Sequence, residues 1–86
     1  MIPQAVLTCL SPHSAMAAEA FFKQLKLDFE LIPTPRQISA ECGFALLLRQ
    51  LDSPTIKDIC QNNQIDYENL YMINNINGEK KYEKSD

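Results

Sequence analysis

The residue best suited to chemistry in this 86-residue chain is Cys42. It lies in a segment rich in Pro, Thr, Ser and Gly, residues 33–43, between two apolar runs. This composition is typical of a shaped loop, and loops carry reactive residues more often than cores do. Arg36 lies in the same segment, and its permanent charge favours the thiolate, the nucleophilic form of cysteine. The sequence therefore predicts a loop that presents a thiol near a cation.

The ionisation of Cys42 stays open at this level. The amino end of a predicted helix near His13 and Ser14 offers N–H groups that favour an anion. Glu41 is a like charge, and a short helix ending at Cys42 would place the thiol at the negative end of its dipole. A second interpretation also stays open, in which Cys42 is a small buried hydrophobic residue beside a turn.

The other two cysteines, Cys9 and Cys60, are far from Cys42 in sequence and form no CxxC pair with it. With His13 as the one histidine, the chain lacks the ligands of a structural zinc site, so we expect no metal and no organic cofactor. Cys60 lies on the apolar face of a predicted helix and is expected in the core. Cys9 follows a predicted strand and could resolve an oxidised Cys42.

Composition excludes several classes of function. A net charge of −3 and a pI near 5.0 argue against nucleic-acid binding, which needs a clustered basic surface. No apolar run approaches the roughly 20 residues of a membrane span, and the first residues do not resemble a secretory signal. Unpaired cysteines fit a reducing compartment, so we expect a cytoplasmic protein.

Hydrophobic periodicity and capping signals predict alternating strands and helices. Ser11-Pro12 and Asp52-Ser53-Pro54 are helix starts, with a capping residue followed by proline in the first turn. Thr34-Pro35-Arg36-Gln37 is a similar start with a capping box, and Gly43 would close that short helix. The predicted order is strand 5–10, helix 12–26, strand 29–32, short helix 35–42, strand 44–48, helix 53–63 and strand 70–73.

This β-α-β-β-α-β order predicts an α+β two-layer ferredoxin-like sandwich, an antiparallel sheet with both long helices on one face. Residues 1–76 form the single domain, and the charged tail 77–86 is expected to fray. The loops after the first strand, second strand and second helix would then lie at one end. That rim would contain Cys42 and Arg36, with Ser11, His13 and residues 62–66, and Cys9 just below.

Two of the predicted strands, 5–10 and 44–48, are apolar on both faces, yet the helices cover only one. The other face would expose an apolar patch. We therefore expect a homo-oligomer that associates through the sheet face.

The motif Pro33-Thr34-Pro35-Arg36, followed by Ser39 and Cys42-Gly43, resembles the signature of the DUF3343 family of selenium/sulfur carrier-like proteins. Ala18-Glu19 in the first predicted helix extends the resemblance, which covers roughly residues 5–73. The family's cysteine, arginine and serine fall on Cys42, Arg36 and Ser39. The resemblance implies donor and acceptor proteins for a sulfur or selenium atom carried on Cys42.

In this hypothesis Arg36 steadies the carried anion and Ser39 hydrogen-bonds locally. Thr34 and Pro35 fix the loop, and Gly43 permits its tight closure. One alternative is a non-catalytic binding module that uses the apolar sheet face and the 33–43 loop. Another is a redox sensor in which Cys9 pairs with Cys42, which requires their Cα atoms to lie within about 7 Å.

Overall fold

The computed structural model describes residues 2–39 and 43–85. Seven elements follow one another in chain order, five strands and two helices. They are β1 (Gln4–Thr8), α1 (Pro12–Gln24), β2 (Phe29–Pro33), β3 (Phe44–Arg49), α2 (Ser53–Asn62), β4 (Asn69–Ile76) and β5 (Glu79–Ser85). Neither helix is long and apolar enough to cross a membrane, over the ranges that the structure describes.

Both helices begin where the capping signals place them. The Ser11 side chain accepts a hydrogen bond from the Ser14 N–H at 3.1 Å, and Pro12 is the first helical residue. The Asp52 carboxylate accepts from the Thr55 N–H at 3.1 Å in the same way. These bonds satisfy amide groups that have no partner within the helix. Because the chain must turn into the Ser11 cap, β1 ends at Thr8, and the prediction that it extends to Leu10 is wrong.

The strands form one antiparallel sheet in the order β2-β3-β1-β4-β5. The first four have the order of a ferredoxin-like sandwich, which confirms the predicted fold class. Alternate residues of β1, β3 and β4 point to the helix side. There they form the core with Phe22 of α1 and with Ile56 and Cys60 of α2.

The sheet face opposite the helices, here called the open face, is less exposed to solvent than expected. Val6 and Ala45, which lie on this face by alternation, are fully buried, and Thr8 is 4% exposed. The segment after β2 contributes to this cover, because Ile38 shares a cleft with Thr8 and Tyr71 of the open face. Gln37 likewise lines a shallow depression with Tyr82 of β5. The open face is therefore covered at these three positions, while Leu47, Tyr71 and Ile73 on it stay partly exposed.

The charged tail forms a strand rather than fraying. β4 continues past Asn74-Asn75 to Ile76, and β5 pairs with it from Glu79 to Ser85. The two strands are joined by Asn77 and Gly78, whose φ angles are 52° and 82°. Positive φ at both central residues defines the type I′ turn that matches the twist of a hairpin. The Ser85 hydroxyl also contacts the Ser53 hydroxyl at the start of α2.

Replacing Gly78 by alanine should lower the free energy of unfolding by about 1–2 kcal/mol, because a Cβ is disfavoured at positive φ. Urea unfolding monitored by circular dichroism measures this loss. Asn77→Gly is the matched control and should be tolerated, since glycine adopts the same turn. An unchanged midpoint in Gly78→Ala would show that the hairpin contributes little to stability.

Candidate functional site

The end of the sheet where β1 and β2 finish holds a cleft of about 370 Å³. Three chain segments line it, namely the β1–α1 connection, the β2–β3 connection and the start of β4. The lining residues are 8–12, Thr34, Ile38, Ser39, Gly43, Phe44, Glu68, Asn69 and Tyr71. The predicted meeting of the first two loops at one end of the domain is therefore observed.

The Ser11 cap forms one wall of the cleft. The Ser11 N–H donates to the Ser14 hydroxyl at 3.0 Å, and the Ala15 N–H donates to the Ser11 carbonyl at 3.0 Å. The Ser14 N–H is bound by the Ser11 hydroxyl, and Pro12 has no N–H. The Ser14 N–H, one of the amides expected to attract an anion at this helix end, is therefore already hydrogen-bonded to the Ser11 hydroxyl. The His13 amide is the first-turn group left without a bond in the described chain.

A buried threonine fixes the part of the cleft between β1 and β4. The Thr8 hydroxyl donates to the Asn69 carbonyl at 3.2 Å and accepts from the Asn69 N–H at 3.0 Å. The Thr8 carbonyl also accepts from the Glu68 N–H at 2.7 Å. Three hydrogen bonds therefore tie Asn69, the first residue of β4, and the preceding Glu68 to the last residue of β1. They hold Glu68 and Asn69 against the cleft.

Thr8→Val should lower the free energy of unfolding by about 1–3 kcal/mol, because it keeps the shape but leaves the partly buried Asn69 N–H without its acceptor. Urea unfolding gives the loss. Thr8→Ser retains the hydroxyl and should restore most of it. If Thr8→Val were as stable as the wild type, water would be replacing the hydroxyl.

The loop between β2 and β3 is anchored at both of its described ends. The Thr34 N–H donates to the Gly43 carbonyl at 3.0 Å, which extends the β2–β3 ladder by one pair. The Ile38 and Ser39 N–H groups donate to the Pro35 carbonyl at 3.0 and 3.1 Å. These bonds close a single turn over residues 36–38. The remainder of the predicted short helix, up to Cys42, lies outside the described residues.

The structure gathers most of the predicted site residues but not all. Thr34, Ser39 and Gly43 of the loop line the cleft, as do Cys9 and Ser11. Pro35 supports the turn through its carbonyl. Arg36 is exposed and does not line the cleft. Cys42 lies outside the described residues, between Ser39 and Gly43 in sequence.

His13 points to a different part of the surface. It is exposed and lines a separate depression together with Phe21 and residues 64–66. The expectation that His13 and residues 62–66 share the rim with the loop is therefore not met for the cleft.

Both described cysteines have thiols with raised pKa values. Burial raises the pKa of the Cys9 thiol, and the carboxylate of Glu68 raises it further. Burial also raises the pKa of Cys60 to about 11, with a smaller contribution from Cys9. Cys60 is 2% exposed and belongs to the core, where it was predicted to be. Across 2–39 and 43–85, no three His, Cys, Asp or Glu residues cluster as metal ligands would.

Several cleft residues were missed in the sequence. Thr8 carries the one hydroxyl in the first apolar run, and a polar residue at the end of a buried strand is a detectable signal. Asn69 and Tyr71 share a face by alternation and could have been placed beside it once β4 was extended. Leu10 and Phe44 line the cleft with 66% and 52% exposure, although their apolar character suggested burial.

The fold and the cleft define a small α+β sandwich whose loop carries a cysteine between two cleft-lining residues. The sequence over residues 4–72 matches the family model described as "Putative Se/S carrier protein-like". The chain belongs to this family, which confirms the resemblance drawn from the loop motif. Comparisons with curated proteins and with solved structures find no match.

Proposed function

We propose that this protein carries sulfane sulfur or selenium on Cys42 and delivers it to an acceptor protein. The Cys42 thiolate attacks the outer sulfur of a donor persulfide, forming a Cys42 persulfide and releasing the donor as its thiolate. Attack by an acceptor nucleophile on the carried atom then regenerates the Cys42 thiolate. Both steps exchange one bond to sulfur for another, so no external oxidant or reductant is required. A donor that carries selenium would give the selenopersulfide in the same way.

The observation that carries the proposal is the position of Ser39 and Gly43. They flank the 40–42 segment in sequence, and both line the cleft formed with the β1–α1 connection and β4. The described residues on either side of the span that carries Cys42 in sequence therefore border a concave surface. Membership of a family described as carrier-like gives the class of chemistry.

The loop residues then have distinct roles. Thr34 holds the loop to β3 because its N–H donates to the Gly43 carbonyl. Pro35 holds the turn because its carbonyl accepts from the Ser39 N–H. Arg36 is exposed, and its permanent charge would stabilise the carried anion. In the described part of the chain, the His13 amide is the remaining donor at the start of α1.

The state of Cys9 protects the carried atom. A Cys9 thiolate could attack the inner sulfur of the Cys42 persulfide, forming a Cys9–Cys42 disulfide and releasing hydrosulfide. Burial and Glu68 raise the pKa of Cys9, and the protonated thiol is a poor nucleophile. A Cys9 thiol with a raised pKa therefore favours a role in which Cys9 does not react with the Cys42 persulfide. The resolving role considered above would need a Cys9 thiolate. A reducing compartment such as the cytoplasm would favour this state.

Intact mass spectrometry tests the proposal. The reduced protein is incubated with a cysteine desulfurase and cysteine, or with a selenium-releasing counterpart and selenocysteine, then freed of small thiols. We expect a mass gain of one sulfur or one selenium. The gain should vanish in Cys42→Ser and persist in Cys9→Ser, the control at a cysteine that lines the cleft. Absence of any adduct on the wild type would overturn the carrier function.

A non-catalytic binding module is the second candidate, and the exposure of Leu10 and Phe44 at the cleft favours it. Such apolar side chains beside a concave surface suit contact with another protein. A carrier must also dock its donor and acceptor, so the same residues serve both functions. Cys42→Ser separates them, because a module would bind its partner unchanged while a carrier would lose transfer.

A further inference from the structure

The sheet has two outer strands, and they differ in how they are protected. β5 carries five charged residues in seven, Glu79, Lys80, Lys81, Glu83 and Lys84. Charges of this kind, lysine above all, discourage another strand from pairing with an edge. β2 reads Phe-Glu-Leu-Ile-Pro, with Glu30 as its one charged residue. Leu31 in the middle of β2 is 39% exposed, so this edge offers an apolar side chain as well as backbone groups.

The hydrogen-bond alternation shows which β2 groups face outwards. The Arg49 N–H donates to the Asp28 carbonyl and the Thr34 N–H to the Gly43 carbonyl, both at 3.0 Å. In an antiparallel ladder every second residue faces the neighbouring strand, so Asp28, Glu30, Ile32 and Thr34 face β3. Phe29, Leu31 and Pro33 therefore present their backbone groups to the free side. Proline has no N–H, so the outward donors are those of Phe29 and Leu31 alone.

We infer that β2 pairs antiparallel with β2 of a second copy of this chain, about a two-fold axis at Leu31. In this register the two Leu31 residues exchange two backbone hydrogen bonds. Each Phe29 N–H donates to the Pro33 carbonyl of the other copy, giving two more. Every outward N–H of the edge is then bound, while the Phe29 carbonyl, which lies opposite a proline without an N–H, stays with solvent. The edge is self-complementary, as an isologous interface must be.

The side chains agree with this register. Leu31 lies against its own copy on the helix side of the sheet, where its exposed surface is covered. Glu30 lies opposite Ile32 rather than opposite another carboxylate. Glu30 is also 3.8 Å from Arg49 within its own chain, which reduces repulsion between the copies.

The pairing joins two five-stranded sheets into one of about ten strands with all helices on one face. Because the paired strands run in opposite directions, the two clefts lie at opposite ends of the dimer and both stay open. The association thus uses the edge of the sheet rather than its partly covered face. It is independent of the chemistry proposed for Cys42.

Sedimentation equilibrium over about 10 μM to 1 mM tests the pairing, since one strand pair is a small interface with a dissociation constant on the order of 100 μM. The wild type should move from 9.8 kDa towards twice that mass. Leu31→Pro removes the outward N–H without touching a bond to β3, and should weaken association at least tenfold. Lys84→Pro, at an outward position of β5 by the same alternation, is the matched control and should leave association unchanged.

Circular dichroism checks that each variant folds. If Leu31→Pro does not, Leu31→Lys serves instead, because it places like charges opposite each other across the two-fold axis and should weaken association most at low salt. Amide exchange gives a direct readout, since the Phe29 and Leu31 amides should exchange more slowly as concentration rises. A wild type that remains at 9.8 kDa at about 1 mM would overturn the inference. So would equal weakening by Leu31→Pro and Lys84→Pro.

Discussion

Phe22→Ala should remove about 3–5 kcal/mol of stability, most of what a domain of this size possesses. Phe22 is 1% exposed and is the largest fully buried side chain in the described core. Its ring meets that of Phe29 edge to face, with centroids 5.7 Å apart and planes at 65°, and so joins α1 to β2. Truncation leaves a cavity between helix and sheet and also forfeits the aromatic pair, itself worth about 0.5–1.5 kcal/mol.

The adjacent residue supplies a matched control. Phe21 is 37% exposed on the same helix, so Phe21→Ala should lose only about 1 kcal/mol. Urea unfolding of the two variants beside the wild type measures both losses, and Phe22→Leu gives an intermediate point if Phe22→Ala does not fold. Equal losses for Phe21→Ala and Phe22→Ala would mean that the core is not centred on Phe22.

The parts of the fold predictable from sequence are those with a local physical cause. Both helix starts could be predicted because capping acts within one turn of the chain. The capping signals are Ser11-Pro12 and Asp52-Ser53-Pro54. The apolar run of β3 and the burial of Cys60 follow from periodicity in the same way. The order of these elements was enough to give the sandwich topology.

The errors arise where pairing overrides composition. β5 is rich in lysine and glutamate, so hydropathy suggested a frayed tail, yet an edge strand tolerates charge and needs only a partner and a turn. The Asn77-Gly78 dipeptide is the signal that could have revealed it. Arg36 was placed near Cys42 from the loop motif and His13 from the topology, and their part in the site stays a prediction because Cys42 lies outside the described residues. The cleft also contains Thr8, Asn69 and Tyr71, whose placement depends on strand pairing and not on local sequence.

The stability of this protein should fall between pH 9 and about 11 because of Cys60. Burial raises the pKa of its thiol from 9.0 to about 11, so in this window the unfolded chain releases the proton while the folded chain retains it. A pKa raised on folding contributes stability that is complete below pH 9 and is lost as pH rises through the folded value. The loss should amount to about 2–3 kcal/mol, since one pKa unit corresponds to about 1.36 kcal/mol.

Cys60→Ala isolates this effect from the lysines and tyrosines that titrate in the same range. Near neutral pH the variant should be less stable than the wild type by about 1 kcal/mol, because the sulfur fills space in the core. As pH rises past 9 the wild type loses the additional increment and the variant does not, so the two stabilities should converge and then cross. The pKa of Cys9 is raised as well, and Cys9→Ala should show a smaller convergence because that thiol is only half-buried.

Urea unfolding under reducing conditions at neutral pH, at pH 9 and near the folded pKa of Cys60 gives the stability of each variant as a function of pH. Parallel curves for the wild type and Cys60→Ala would contradict a thiol that must stay neutral, since only a group whose protonation differs between folded and unfolded chains makes the gap depend on pH.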